Sequence, residues 1–98
     1  QVTDADPDAG TVTLKMASRP EIQRMDGSPQ IHGGPLAALI DTAGDLAVAQ
    51  AVGGAVPTID MKVDYLRPVM GDYVLAKAVA RRVGRTVGVA AAYAARIC

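Results

Sequence analysis

One stretch limits what this chain can become. From Pro35 to Ala51 nothing breaks a helix except Gly44, and nearly every side chain is apolar: Leu36, Ala37, Leu39, Ile40, Ala43, Leu46, Ala47 and Val48. Pro35 suits a first helical position, where its missing N–H costs nothing. Gly33-Gly34 precede the run and Gly53-Gly54 end it. Seventeen residues make about 25 Å of helix. Only Asp41, Thr42, Asp45 and Gln50 interrupt the apolar surface. A helix of that kind is expected to be buried by the rest of the chain.

The rest must supply the cover, and its period of two predicts strands. Thr11–Ala17 alternates, and from Thr58 to Leu66 the residues Ile59, Met61, Val63 and Tyr65 alternate with Thr58, Asp60, Lys62 and Asp64. Arg67-Pro68 stops that run, and Val69–Asp72 with Gly71 reads as a turn. Tyr73–Val83 and Thr86–Ile97 read as two more strands joined around Gly84. Thr3–Gly10 reads as a turn, and Ser18–Gln30, with Pro20, Gly27 and Pro29, as a loop. Long strands joined by short turns pair antiparallel. The expected fold class is therefore α+β, in the order strand, helix, three strands, with one antiparallel sheet wrapped around one central helix.

Composition removes several function classes. Ninety-eight residues suffice for one domain, 1–98, whose small core makes oligomerisation a natural remedy. Ten basic against ten acidic residues leave no broad field to draw nucleic acid, and no nucleic-acid partner is expected. No uninterrupted apolar run reaches about 18 residues, so no membrane span or membrane partner is expected. A single Cys, Cys98, excludes an intrachain disulfide and a cysteine-based metal cluster; with one His, no metal site is expected. Such cysteine usage fits a reducing compartment or an indifferent one, and a cytoplasmic location is the expectation. The first residue is Gln rather than Met, as in a processed chain or a piece of a longer one.

Four features carry possible chemistry. Asp41 lies six residues beyond Pro35, too deep in the helix to be its N-cap, with Asp45 one turn further along the same face. A carboxylate in a partly dry setting is suited to act as general base or nucleophile. The plainer alternative is that Asp41 and Asp45 form the helix's one solvated stripe. At the helix start, the N–H groups around Gly33, Gly34 and Leu36 have no acceptor within the helix and so can polarise a carbonyl. Gly-Gly before a helix is also an ordinary loop ending. His32 is an acid–base candidate, though a lone His in this position more often ties down a loop. Arg81, Arg82 and Arg85 cluster around Gly84 as phosphate ligands or simply as a solvated edge.

Taken together, His32-Gly33-Gly34, then Asp41 within Leu39-Ile40-Asp41-Thr42-Ala43, resemble the signature of hotdog-fold thioesterases of the phenylacetate-pathway (PaaI-like) type. The 4-hydroxybenzoyl-CoA thioesterases are relatives. Asp60–Val69 (DMKVDYLRPV), Gly71, Arg82-Val83-Gly84-Arg85 and the upstream Arg19-Pro20-Glu21 resemble that family in order, so the likeness spans nearly the whole chain. The resemblance implies an acyl-CoA thioesterase in which two subunits join their sheets edge to edge and share active sites, further paired as a dimer of dimers. It implies that the Gly33 N–H polarises the thioester carbonyl while Asp41 of the other subunit activates water or attacks. It makes His32 positional and places Gly34, Thr42, Asp45 and Asp26 near substrate, with Arg82 and Arg85 toward the phosphates. No cofactor is implied, since coenzyme A is part of the substrate.

Two departures stand out. The family often has Asn six residues before the His, where this chain has Asp26, whose charge would repel that of Asp41 if the loop brought them together. Family members usually also carry a helix before the first strand and a further strand at the end, so the resemblance implies a minimal domain or part of one. The rival readings are a non-catalytic acyl-CoA-binding hotdog module and a hotdog hydratase, for which Asp26 and His32 would be the only acid–base pair.

Overall fold

In a computed structural model, which describes residues 1–95, the apolar run forms helix α1 over Gly33–Val52. The helix starts two residues before Pro35 because His32 caps it: its Nδ1 accepts a hydrogen bond from the Gly34 N–H at 3.0 Å. It ends where Gly53 turns left-handed at φ 76° and its N–H reaches the Ala49 carbonyl. Four strands surround it in sequence, β1 (Val2–Asp6), β2 (Thr11–Ala17), β3 (Tyr73–Val83) and β4 (Gly88–Ala95). They form one antiparallel sheet in the order β1-β2-β3-β4.

Helix and sheet meet through alternate residues. Val12 and Leu14 of β2 and Val74, Ala76 and Ala78 of β3 pack on Leu36, Leu39, Ala43 and Ala47 of α1, with Ile31 closing the end. Opposing small residues let the helix lie close, and Ala43, Ala47, Val74, Ala76 and Ala78 have no exposed surface. At β4 the approach leaves no room for a side chain on Gly88. A Cβ on Gly88 would stand 2.7 Å from Val48 Cγ1, closer than packed atoms tolerate.

The expected helix wrapped by an antiparallel sheet is what forms, but four details differ. The stretch read as a turn, Thr3–Gly10, begins as strand β1, and only Pro7–Gly10 turns. Strand β1 is exposed throughout and held by its backbone to β2, so no hydrophobic alternation marks it. Thr58–Leu66, expected as a strand, has no ladder partner among the described residues. Ile59 and Leu66 are 81% and 88% exposed there, and a groove separates the segment's start from β4. The helix is buried on one face rather than all round, because one sheet covers only one side of it; Leu46 and Thr42 face outward. By length and composition α1 would cross a membrane, yet its inner face is the core of the sheet. The last strand runs from Gly88 to Ala95, Thr86 and Val87 belonging to the turn before it, and the expected end at Arg96 and Ile97 lies outside the described residues.

The loop before the helix is more ordered than its Pro and Gly suggest. Pro20–Ile22 forms a single 3-10 turn, and the Ile22 carbonyl accepts from the His32 N–H at 2.7 Å. The Ile31 N–H donates to the Val69 carbonyl at 2.8 Å, and the Gly71 N–H to Pro29 at 3.0 Å. These bonds deliver His32 to the helix start and hold it beside the Tyr65–Val69 segment.

Candidate active site

The helix start is an open donor. The His32 N–H is engaged by Ile22 and the Gly34 N–H by the His32 ring, which leaves the Gly33 N–H between them with no acceptor among the described residues. Because the ring accepts through Nδ1, a neutral His32 carries its proton on Nε2. Gly33 borders a cavity of about 430 Å³, whose wall includes Arg24, His32, Leu36, Tyr65 and Arg67. The Tyr65 hydroxyl donates to the Gly33 carbonyl at 2.9 Å, and its ring occupies the space beside the Gly33 Cα.

Two turns along, α1 presents its carboxylates to a different space. Asp41 and Asp45, both half-buried, line a groove of about 790 Å³ between the helix, the Val56–Lys62 segment and the Thr86–Ala92 stretch. Thr58 bridges them. Its hydroxyl lies 2.5 Å from Asp41 Oδ1, 3.0 Å from Asp45 Oδ1 and 3.2 Å from Asp45 Oδ2. A hydroxyl has one proton to donate, so it serves one carboxylate at a time and leaves the other free to accept from water or a ligand.

The remaining expected site residues scatter. Gly34 sits at the helix start, its N–H committed to His32. Thr42 is exposed and turns its hydroxyl back to the Ala38 carbonyl at 2.8 Å, as helical threonines do, and it does not line the groove. Asp26 lies in an exposed turn closed by Ser28 N–H to the Met25 carbonyl, and it borders neither cavity. Within the chain, the carboxylate beside Asp41 is thus Asp45. Arg82, near the end of β3, and Arg85, in the turn, are exposed and also border neither cavity. Arg81 is the unpaired residue where the β3–β4 register slips between Ala80 and Arg82. Among the described residues no three His, Cys, Asp or Glu side chains gather as metal ligands.

Thr58 and Tyr65 are the residues that sequence reasoning did not single out. Thr58 had one usable signal, the first polar position of an alternating run placed after a helix that carries two carboxylates. For Tyr65 there was none, since an aromatic in an apolar alternation reads as packing.

A single long helix laid on an antiparallel sheet is the hotdog fold. Residues 30–94 match the family model of the Thioesterase superfamily, and the chain belongs to that superfamily. A Halobacterium salinarum protein provisionally named an esterase is 54% identical over 68 residues, which make up 65% of this chain and 44% of that protein. The chain thus spans less than half the length of the curated relative it matches. An X-ray structure from the thioesterase superfamily superposes with a TM-score of 0.86 at 34% identity, covering 95% of this chain and 69% of the other. A Ralstonia eutropha crystal structure, provisionally described as a thioesterase related to phenylacetic acid degradation, gives a TM-score of 0.85 at 20% identity. It covers 98% of this chain and 73% of the other, a likeness of fold.

Proposed function

We propose that this chain is an acyl-CoA thioesterase domain of the phenylacetate-pathway type, working as a homodimer with shared sites. One observation carries the reading. Gly33 and Asp41 lie on one helix, about 12 Å apart along its axis, and they open into different cavities. One thioester carbonyl cannot meet both groups of a single chain. A two-fold pairing that lays the Gly33 end of one helix against the Asp41 groove of its partner would bring them together twice.

In that arrangement the carbonyl oxygen accepts from the Gly33 N–H, which has no competing acceptor. As general base, Asp41 takes a proton from water while the water oxygen bonds to the carbonyl carbon. The charge that develops on oxygen is met by the Gly33 donor at the positive end of the helix. Collapse breaks the carbon–sulfur bond, and the departing thiolate takes the proton from Asp41. The products are a carboxylic acid and coenzyme A. If Asp41 attacks directly, an anhydride forms first and water then cleaves it, with the same products. Thr58 donates to the Asp41 carboxylate, with Asp45 competing for the same proton, and Arg82 and Arg85 are offered to the phosphates of the substrate.

A thiol-release assay over short, medium and aromatic acyl-CoAs tests the activity, with Asp41→Asn expected to remove it. Hydrolysis undiminished in that variant would overturn the role of Asp41, and saturable binding without turnover would favour a binding module. The shared site has its own test. Gly33→Pro removes the free N–H, at a first helical position that tolerates proline and after a His32 already extended at ψ 145°; its Cβ, 3.1 Å from Tyr65 Cε1, also requires the exposed Tyr65 ring to give by a few tenths of an ångström. Mixing the two inactive variants should restore about a quarter of wild-type activity, since half the dimers are mixed and each has one intact site. Absence of any recovery after subunit exchange would argue against sharing.

A further inference from the structure

Two consecutive glycines are a poor mount for a catalytic donor. Without Cβ atoms, Gly33 and Gly34 have more backbone freedom than any other pair. A hydrogen bond that must meet developing charge works only if it is already aimed. Something has to remove that freedom. The Gly33–Gly34 peptide is held at both ends: its carbonyl accepts from the Tyr65 hydroxyl at 2.9 Å, and its N–H donates to His32 Nδ1 at 3.0 Å. On the other side, the His32 N–H is fixed to Ile22 at 2.7 Å. The peptide carrying the free Gly33 N–H lies between these anchored groups. The Tyr65 ring also stands 3.1 Å from where a Gly33 Cβ would be, so it packs on the glycine as well as bonding it.

We propose that Tyr65 is a positioning residue for the Gly33 N–H: with His32 it clamps the Gly33–Gly34 peptide and so aims the donor. The two clamping bonds share one amide, each polarising it toward the other, so loss of one weakens the second. Tyr65 comes from a segment thirty-two residues further along the chain, and the clamp therefore ties the helix start to the loop that walls the same cavity. Tyr65 is 60% exposed, so its hydrogen bond adds little to the stability of the fold. That separates positioning from folding, because the variant lacking the hydroxyl should stay folded while the donor loses its aim. The catalytic consequence rests on the thioesterase reading above, whereas the clamp itself does not.

Tyr65→Phe, which keeps the ring and removes the hydroxyl, is the test, read in two ways. The first is 15N relaxation of Gly33 and Gly34 in the free protein. We expect order parameters near the rigid value of about 0.85 in the wild type, falling below about 0.6 in the variant, with the melting temperature unchanged. The second is steady-state hydrolysis of acyl-CoA. Here kcat should fall about 10- to 100-fold with KM within about twofold, since the donor acts mainly in the transition state. Rigid glycines in the variant, or an unchanged kcat, would overturn the proposal. A wild type that hydrolyses no acyl-CoA, yet whose glycines loosen on Tyr65→Phe, would sink the thioesterase reading and leave the clamp established.

Discussion

The Thr58 hydroxyl stands 2.5 Å from Asp41 Oδ1, reaching it from seventeen residues along the chain. A carboxylate held this way keeps one oxygen occupied and the other unbonded among the described residues, in a side chain that lines the groove. Thr58→Val should therefore lower kcat about tenfold while leaving acyl-CoA binding intact, because the carboxylate is then free to rotate. Thr58→Ser retains the donor and should stay within about twofold of wild type. A Val variant that keeps full activity while the Ser variant loses it would show that the methyl packing matters and the hydroxyl does not.

Gly88 lies directly against Val48 of the helix, with no room for a side chain. Gly88→Ala places a methyl 2.7 Å from Val48 Cγ1 and is expected to cost about 1–3 kcal/mol in a urea or thermal melt. Shortening the opposing side chain with Val48→Ala in the same protein should recover part of that loss. A double variant no more stable than Gly88→Ala alone would place the strain elsewhere.

The two glycines after α1 should behave differently. Gly53 is left-handed at φ 76°, so Gly53→Ala should destabilise by about 1–2 kcal/mol. Gly54 has a negative or extended φ and open space where a Cβ would go, and Gly54→Ala should be neutral or stabilise by up to about 1 kcal/mol. Equal effects from the two, measured by melting temperature, would contradict the cap geometry.

Arg82 and Arg85 lie outside both cavities, where only the distal part of a long substrate would reach them. Replacing both by Ala should raise KM for acyl-CoA several-fold, roughly the effect of losing one or two exposed charge contacts. KM for an acyl-pantetheine thioester, which has no phosphates, should stay the same. A KM that rises for both substrates would show that these arginines act on the fold or on the acyl end.

What sequence revealed follows from which interactions are local. Helix α1 was legible because its punctuation and its apolar run lie within one segment; β2 and β3 were legible because half their side chains face a core. Strand β1 was not, since all five of its residues are exposed and it is held chiefly by backbone pairing to β2 rather than by side chains facing a core. The Thr58–Leu66 alternation shows the opposite case, a pattern fit for a sheet that finds no strand partner among the described residues. At the candidate site, His32, Gly33 and Asp41 were singled out because they lie in or beside one helix and together resemble a known signature. Thr58 and Tyr65 were missed because their partners are seventeen and thirty-two residues away, and no local period records such a contact.

The alanine layer between α1 and the sheet has one more consequence. Ala43 sits between Asp41 and Asp45 on the helix, fully enclosed, as are Ala76 and Ala78 on β3. With side chains this small there is no slack to absorb an added methyl, so the height of the helix above the sheet is set to within a carbon atom. That height also fixes how far Asp41 projects into the groove and where Gly33 meets its cavity. The core is thus a gauge: residues that line neither cavity set the depth at which the candidate groups stand in theirs.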